Sequence, residues 1–124
     1  MPRNISFALT IDQIVSQTKT VTRRKNWWLN RDGRQLLKAG DILKPVDKVM
    51  GFKKGEKPEL LGSHHIEIVS VRREKLSDIT QFECLREGFP EMSPDDFIEL
   101  YISANGGDAD QECTRIEFKY VPIV

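Results

Sequence analysis

The chain has 124 residues, 39 % hydrophobic and 31 % charged, the size and composition of one ordinary soluble globular domain that buries a single core without staples. Its apolar runs are only a few residues long, which excludes a transmembrane helix, and Met1-Pro2-Arg3-Asn4 lacks a hydrophobic leader, so a cytoplasmic location is expected. Net charge is zero, yet residues 1–75 carry 16 Lys/Arg against 8 Asp/Glu (+8) and residues 76–124 carry 3 against 11 (−8). Such a split means either a basic face for phosphates beside an acidic one, or two halves that neutralise each other across the fold. Cys84 and Cys113 match no metal-ligand spacing and are expected to be free, partly buried thiols.

Asn4 to Leu9 alternates Ile5, Phe7 and Leu9 inward, as a half-buried strand does. Thr10 and Gln13 have the spacing of a capping box, and Ile11, Ile14 and Val15 give one apolar stripe, so a helix is predicted over 11–17. The β-branched run that follows is expected to end it. That run, Gln17-Thr18-Lys19-Thr20-Val21-Thr22-Arg23-Arg24, reads as the start of a strand, with Thr20 and Thr22 on one face and Lys19, Val21 and Arg23 on the other. A lysine beside two threonine hydroxyls and two arginines has the chemistry to bind a phosphate or to activate a hydroxyl.

Trp27 and Trp28 are adjacent, so an extended segment cannot bury both, and one is expected at the surface among Arg23, Arg24, Lys25, Arg31 and Arg34. A ring among cations has the composition of a base-stacking platform; the plainer alternative is that one tryptophan plugs a barrel end and the other covers a loop. Asp41 to Val49 reads as a strand that Pro45 confines to an edge or bulges, and Met50 to Gly62 as a polar loop. Gly62 to Leu76 should be the longest strand, partly buried on both faces. His64 and His65 fall on opposite faces of it and cannot share a metal without a bend.

Thr80 with Glu83 marks a second helix start, with Phe82, Cys84 and Leu85 on its buried side. Glu87 closes that helix, where the macrodipole disfavours an acid; a raised pKa suited to proton transfer is one consequence, and a solvated carboxylate is the plainer alternative that spacing alone favours. Ser93-Pro94-Asp95-Asp96-Phe97 is the best-specified helix start, with Phe97, Ile98, Tyr101 and Ile102 as its apolar face and Asn105-Gly106-Gly107 as its stop. Cys113 to Val124 alternates as a final strand. The order predicts an α+β fold, a small mixed or barrel-like sheet with short helices at its ends.

Lys19-Thr20-Val21-Thr22-Arg23-Arg24, then Gly40-Asp41-Ile42-Leu43, then Leu85-Arg86-Glu87-Gly88-Phe89 before Ser93-Pro94, and Ile116-Glu117-Phe118 near the end, together resemble the ASCH family. The likeness runs from about residue 5 to residue 121 and makes the whole chain a single domain. It implies a PUA-like small mixed β-barrel with short flanking helices, and a basic cleft between barrel and helices suited to RNA or a modified nucleoside.

One branch of that family deacetylates N4-acetylcytidine with a lysine, a threonine three positions later and a glutamate in the helical segment. By motif these are Lys19, Thr22 and Glu87. A lysine of lowered pKa takes the threonine proton, and a carboxylate positions or reprotonates the leaving amine. Arg23 and Arg24 are expected to depress that pKa by like-charge repulsion. Thr20, Arg23, Arg24, Lys25, Trp27 and Trp28 are the expected ligand-binding residues, and no metal or cofactor is called for.

This chain departs from the pattern in four places. Gln17-Thr18 stand where a glycine often precedes the strip, and Arg23-Arg24 replace an apolar residue and one arginine. The tryptophan pair and the 50–62 loop are additions. The alternatives to an amidohydrolase are a non-enzymatic single-stranded RNA-binding module and a ribonuclease using the same cleft.

Overall fold

The computed structural model describes residues 2–48, 51 and 53–124. The elements are β1 (Arg3–Ser6), α1 (Ile11–Val15), β2 (Val21–Arg24), β3 (Ile42–Val46), β4 (His64–Lys75), a 3-10 turn (Leu76–Asp78), α2 (Gln81–Arg86), α3 (Pro94–Asn105) and β5 (Glu112–Pro122). They form one five-stranded sheet in the order β1-β3-β4-β5-β2, with β1 and β3 parallel and the other pairs antiparallel. The fold is α+β as expected, but the barrel is not closed: β1 and β2 are the two ends of the sheet. Where they approach, a side chain replaces a ladder, with Arg24 Nη2 donating to Ser6 O at 2.7 Å.

Alternation explains the strands, and one bulge explains where alternation fails. β4 pairs along its whole length with β5, but the register shifts between Ile68 and Ser70, leaving Val69 unpaired. An extra residue moves the inward positions by one. Ile66 and Ile68 are therefore buried before it, whereas after it Val71 packs against the core. β3 is an interior strand, not an edge: β1 covers one side and β4 the other, the latter only at Ile42 and Leu43, short of Pro45. The missing proline N–H thus costs no ladder bond on the β4 side. The 41–49 strand stops at Val46; residues 49, 50 and 52 of the expected strand end and loop lie outside the described residues.

The first strand and the first helix are shorter than their sequence patterns. β1 ends at Ser6, so Leu9 is 68 % exposed instead of inward. Thr10 precedes α1 without a side-chain cap bond; Gln13 instead donates to Gly88 O at 3.1 Å. α1 ends because Gln17 takes a left-handed conformation (φ 62°), not because of the β-branched run. Thr18 N then reaches Gln13 O at 2.9 Å and Gln17 N reaches Ile14 O at 3.1 Å, the paired bonds that close a Schellman motif.

Thr80 caps α2 by accepting from Glu83 N, while Phe82 and Leu85 face outward and Cys84 inward. α3 has the full capping box expected of Ser93 and Asp96, a feature worth about 1 kcal/mol.

Two apolar clusters result. The larger joins the strands and α1 around Ile5, Phe7, Ile14, Ile66, Ile68 and Phe118. The second joins α2 and α3 to the far end of the β4–β5 ladder through Leu76, Cys84, Phe97, Tyr101 and Cys113. Each fully buried isoleucine or phenylalanine in them contributes about 1.5–3 kcal/mol. Both thiols are free and buried. Among the described residues no helix is long and apolar enough to cross a membrane.

Candidate active site

A cavity of about 240 Å³ opens where the two clusters meet. The ends of the sheet supply one wall: Ser6 to Thr10 after β1, and Thr22, Arg23 and Arg24 from β2. The helical side supplies Glu87 and Phe89, then Phe97, Leu100, Tyr101, Ala104 and Asn105 along α3. Lys19 completes the lining. Lys19, Thr22 and Glu87, separated by up to 68 residues, therefore border one hollow.

Strict alternation would place Lys19 and Thr22 on opposite faces. They share the cavity because pairing with β5 begins only at Val21. Lys19 belongs to the turn that the left-handed Gln17 creates: its N–H donates to Gln13 O at 3.3 Å, and its carbonyl accepts from Tyr120 Oη at 2.6 Å. The next residue, Thr20, is fixed by Thr20 N to Arg86 O at 2.8 Å, which ties the strip to the end of α2.

Glu87 is 2 % exposed, so the solvated carboxylate expected from spacing is instead a buried one. Lys19 Nζ donates to its Oε1 at 2.9 Å and to its carbonyl at 2.7 Å, and Arg23 Nη1 donates to its Oε2 at 3.1 Å. Both carboxylate oxygens are thus held by cations, and the last carbonyl of the helix gains a donor. Gly88 follows at φ 99°, and a Cβ there would lie 2.8 Å from Gln13 Cγ. Only glycine lets the chain turn this closely over α1.

Behind Glu87 the ions form a network. Arg23 Nη2 reaches Glu83 Oε1 at 2.9 Å and Glu74 Oε1 at 3.2 Å. Arg115 grips Glu83 from the other side, and Arg86 Nη2 meets Glu117 Oε2 at 3.1 Å. Lys19 and Arg23 of the basic first half meet Glu83 and Glu87 of the acidic second half here, while Arg115–Glu83 and Arg86–Glu117 pair within the second half. The cleft is consequently not a free basic wall. Among the described residues, Arg24 is the one lining cation with no carboxylate within ion-pair distance; it donates to Thr22 Oγ1 at 3.0 Å and stacks 5.0 Å from the Phe7 ring.

These surroundings set the protonation states. Burial drives the Lys19 pKa below its usual value against the opposing pull of Glu87, with weaker like-charge repulsion from Arg24 and Arg23. The expected direction is seen, but desolvation, not the arginines, is the main cause. Burial alone would raise the Glu83 pKa; the Arg115 and Arg23 guanidiniums outweigh it and hold the carboxyl at about 2. Tyr101, also in the lining, is pushed up to about 12, chiefly by burial.

The remaining expected ligand residues do not line the cavity. Thr20 directs its hydroxyl to Arg86 Nε at 3.2 Å. Lys25 is exposed and reaches Asn105 O at 3.2 Å, beside the opening. Trp27, at φ 75°, packs half-buried against the larger cluster, and Trp28 is half-buried outside the cavity, so neither ring forms a platform there. Sequence reasoning missed Phe89, the Ser6–Thr10 segment and the cavity face of α3. Tyr101 was legible only as an apolar helix position, because nothing in its spacing says that its hydroxyl is left without a partner. No group of His, Cys, Asp and Glu among the described residues has the arrangement of a metal site.

An open mixed sheet in this strand order, flanked by short helices, is a class of fold seen in solved structures. The chain is similar to an ASCH domain from Lactobacillus crispatus (TM-score 0.67, 15 % identity, 98 % of this chain and 81 % of that one). It is equally similar to a protein of the DUF984 family from Enterococcus faecalis (TM-score 0.69, 15 % identity, 100 % of this chain and 82 % of that one). The fold is therefore that of an ASCH domain. No protein-family model matches the sequence, and no curated protein matches it.

Proposed function

We propose that the cavity binds one nucleoside, free or as an unpaired residue of RNA, and hydrolyses an amide on its base of the N4-acetylcytidine kind. The observation that carries this reading is the buried Lys19–Glu87 pair, which lines one hollow of about 240 Å³ together with Thr22. Catalytic lysines act in their neutral form, and burial favours that form of Lys19. The hollow is smaller than the usual 300 Å³ lower bound for drug-sized pockets, which suits one nucleoside better than an oligonucleotide.

In this scheme Thr22 Oγ attacks the acyl carbon while its proton passes to neutral Lys19 Nζ, and the carbonyl π pair moves onto oxygen. When the C–N bond breaks, the Lys19 ammonium returns that proton to the departing amine. Water then cleaves the threonine ester, releasing the carboxylic acid. Glu87, with Arg23 on one oxygen and Lys19 on the other, positions Lys19 and favours its ammonium form as it appears. Arg24 Nε, donating to Thr22 Oγ1, stabilises developing negative charge on that oxygen.

The test is release of cytidine from N4-acetylcytidine by purified protein. Lys19→Ala and Glu87→Ala are expected to abolish it; Thr22→Ser should retain part and Thr22→Val none. An inactive wild type ends the hydrolase reading. A second reading, capture of single-stranded RNA without turnover, draws on Arg24 and on Lys25 beside the opening. It requires salt-sensitive oligonucleotide binding, so equal binding at low and high salt rules it out.

A further inference from the structure

Of the cations lining the cavity, Lys19 is neutralised in place by Glu87, and Arg23 by Glu74, Glu83 and Glu87. Arg24 is not. Its guanidinium is pinned by other lining residues: Nε donates to Thr22 Oγ1 at 3.0 Å, Nη2 donates to Ser6 O at 2.7 Å, and Cζ lies 5.0 Å from the centroid of the Phe7 ring. These partners are a hydroxyl, a carbonyl and an aromatic face, and none of them carries an ionic charge. The remaining nitrogen, Nη1, makes no hydrogen bond, yet it is not enclosed; the enclosed, unpartnered side-chain atoms among the described residues are Arg23 Nε and Tyr101 Oη. Nη1 is therefore open to a molecule from outside. Burial of the group as a whole still lowers the Arg24 pKa, to about 10, so the guanidinium is charged at neutral pH while partly stripped of water. Lys25, the next residue, reaches Asn105 O beside the opening and likewise donates to a carbonyl, not to a carboxylate.

We propose that Arg24 forms an anion subsite of this cavity that takes a phosphate attached to the nucleoside, so that the preferred ligand is a phosphorylated nucleoside and not the neutral one. The proposal rests on the nucleoside reading and deepens it by naming the charge of the substrate. A neutral nucleoside leaves this guanidinium without a counter-ion. A phosphate ester supplies one, its oxygens accepting from Nη1 while Nε and Nη2 keep their present bonds to Thr22 and Ser6. The group is held in one position before the ligand arrives, so little rotamer freedom remains to be lost on binding. Glu87, the carboxylate of the lining, is already shared between Lys19 and Arg23 and does not occupy the subsite. With zero net charge, the chain exerts no general pull on anions, and a preference for the phosphorylated form reads out this local group. A free nucleotide and a nucleotide unit of RNA present the same phosphate chemistry.

Titration calorimetry of the wild type at low ionic strength tests this with N4-acetylcytidine, its 5′-monophosphate, and a trinucleotide carrying N4-acetylcytidine at its centre. A phosphorylated probe should bind roughly 10- to 100-fold more tightly than the nucleoside, the worth of one charge-assisted hydrogen bond. Tightening by the monophosphate points to free nucleotides as the source, and tightening by the trinucleotide alone points to RNA. Arg24→Gln should bring the ratio of affinities close to one; turnover is not the readout for this variant, because Arg24 also holds Thr22. Lys25→Gln should keep most of the ratio. A ratio of one in Lys25→Gln overturns the assignment to Arg24, and it decides alone if Arg24→Gln does not fold. Equal affinity of the wild type for all the probes overturns the subsite and leaves the nucleoside reading in place. A wild type that binds none of them overturns both.

Discussion

Lys19 Nζ meets both the carboxylate (2.9 Å) and the backbone carbonyl (2.7 Å) of Glu87, a residue 68 positions away, in a contact with almost no solvent. Removing one partner of such a pair strands the other. Glu87→Gln is expected to cost on the order of 3–5 kcal/mol, because Lys19 and Arg23 both lose their shared anion. Urea denaturation measures this directly; a cost within 0.5 kcal/mol, the scatter of surface substitutions, would mean that the pair carries no weight.

The lowered Lys19 pKa fixes the sign of a pH effect. Its folded value lies below the unfolded 10.5, so between the two the unfolded chain holds more protons and stability from this group rises with pH; it is lost as pH falls through the folded value. Activity that needs neutral Lys19 should rise in the same direction, with an inflection below 10.5. Comparing the deacetylation profile with the stability profile of Lys19→Met checks both, since the variant should lack the rise in stability.

Glu83 titrates in the opposite range. Held at about 2 against an ordinary 4.5, it contributes stability that is complete above 4.5 and lost as pH falls toward 2. Glu83→Gln should flatten the acid limb of the wild-type stability curve over that window, and an unchanged limb would show that Glu83 is not its source.

Gln17 occupies a left-handed position that costs a side chain about 1–2 kcal/mol. Gln17→Gly is expected to stabilise the fold by about 0.5–1 kcal/mol, since the relieved strain outweighs the extra freedom of glycine in the unfolded chain. Its side-chain contact with His64 is exposed and adds little. A lower melting temperature for the variant would contradict this.

Gly88→Ala tests the opposite case. With φ at 99° and Gln13 Cγ 2.8 Å from the new methyl, the turn after Glu87 must shift. A loss of about 1–3 kcal/mol is expected, together with reduced activity, because the displaced residue is the neighbour of Glu87. Gln13→Ala in the same background should recover part of the loss by making room.

Strands with regular alternation were readable from residues alone: β4 and β5 stand where their patterns place them, and α3 begins at its capping box. The misreadings share a cause. Phe82, Leu85 and Leu9 look like core by composition, yet the short α2 spends its inward positions on Cys84 and on carboxylates that meet arginines from β2 and β5. Glu87 looked solvated because its two cations lie 64 and 68 residues away. No local pattern carries such partners; the motif resemblance supplied Lys19, Thr22 and Glu87 where spacing could not. Closure of the barrel was implied by the family resemblance, whereas the order of elements left a mixed or barrel-like sheet open, because it does not fix whether the two ends pair.

That unpaired seam has a mechanical consequence. Ser6 and Arg24 border the cavity from opposite margins of the sheet, and one guanidinium-to-carbonyl bond spans them. Parting them breaks that bond and the stacking of Arg24 on the Phe7 ring but no inter-strand rung among the described residues. A sealed cylinder would have to unzip first.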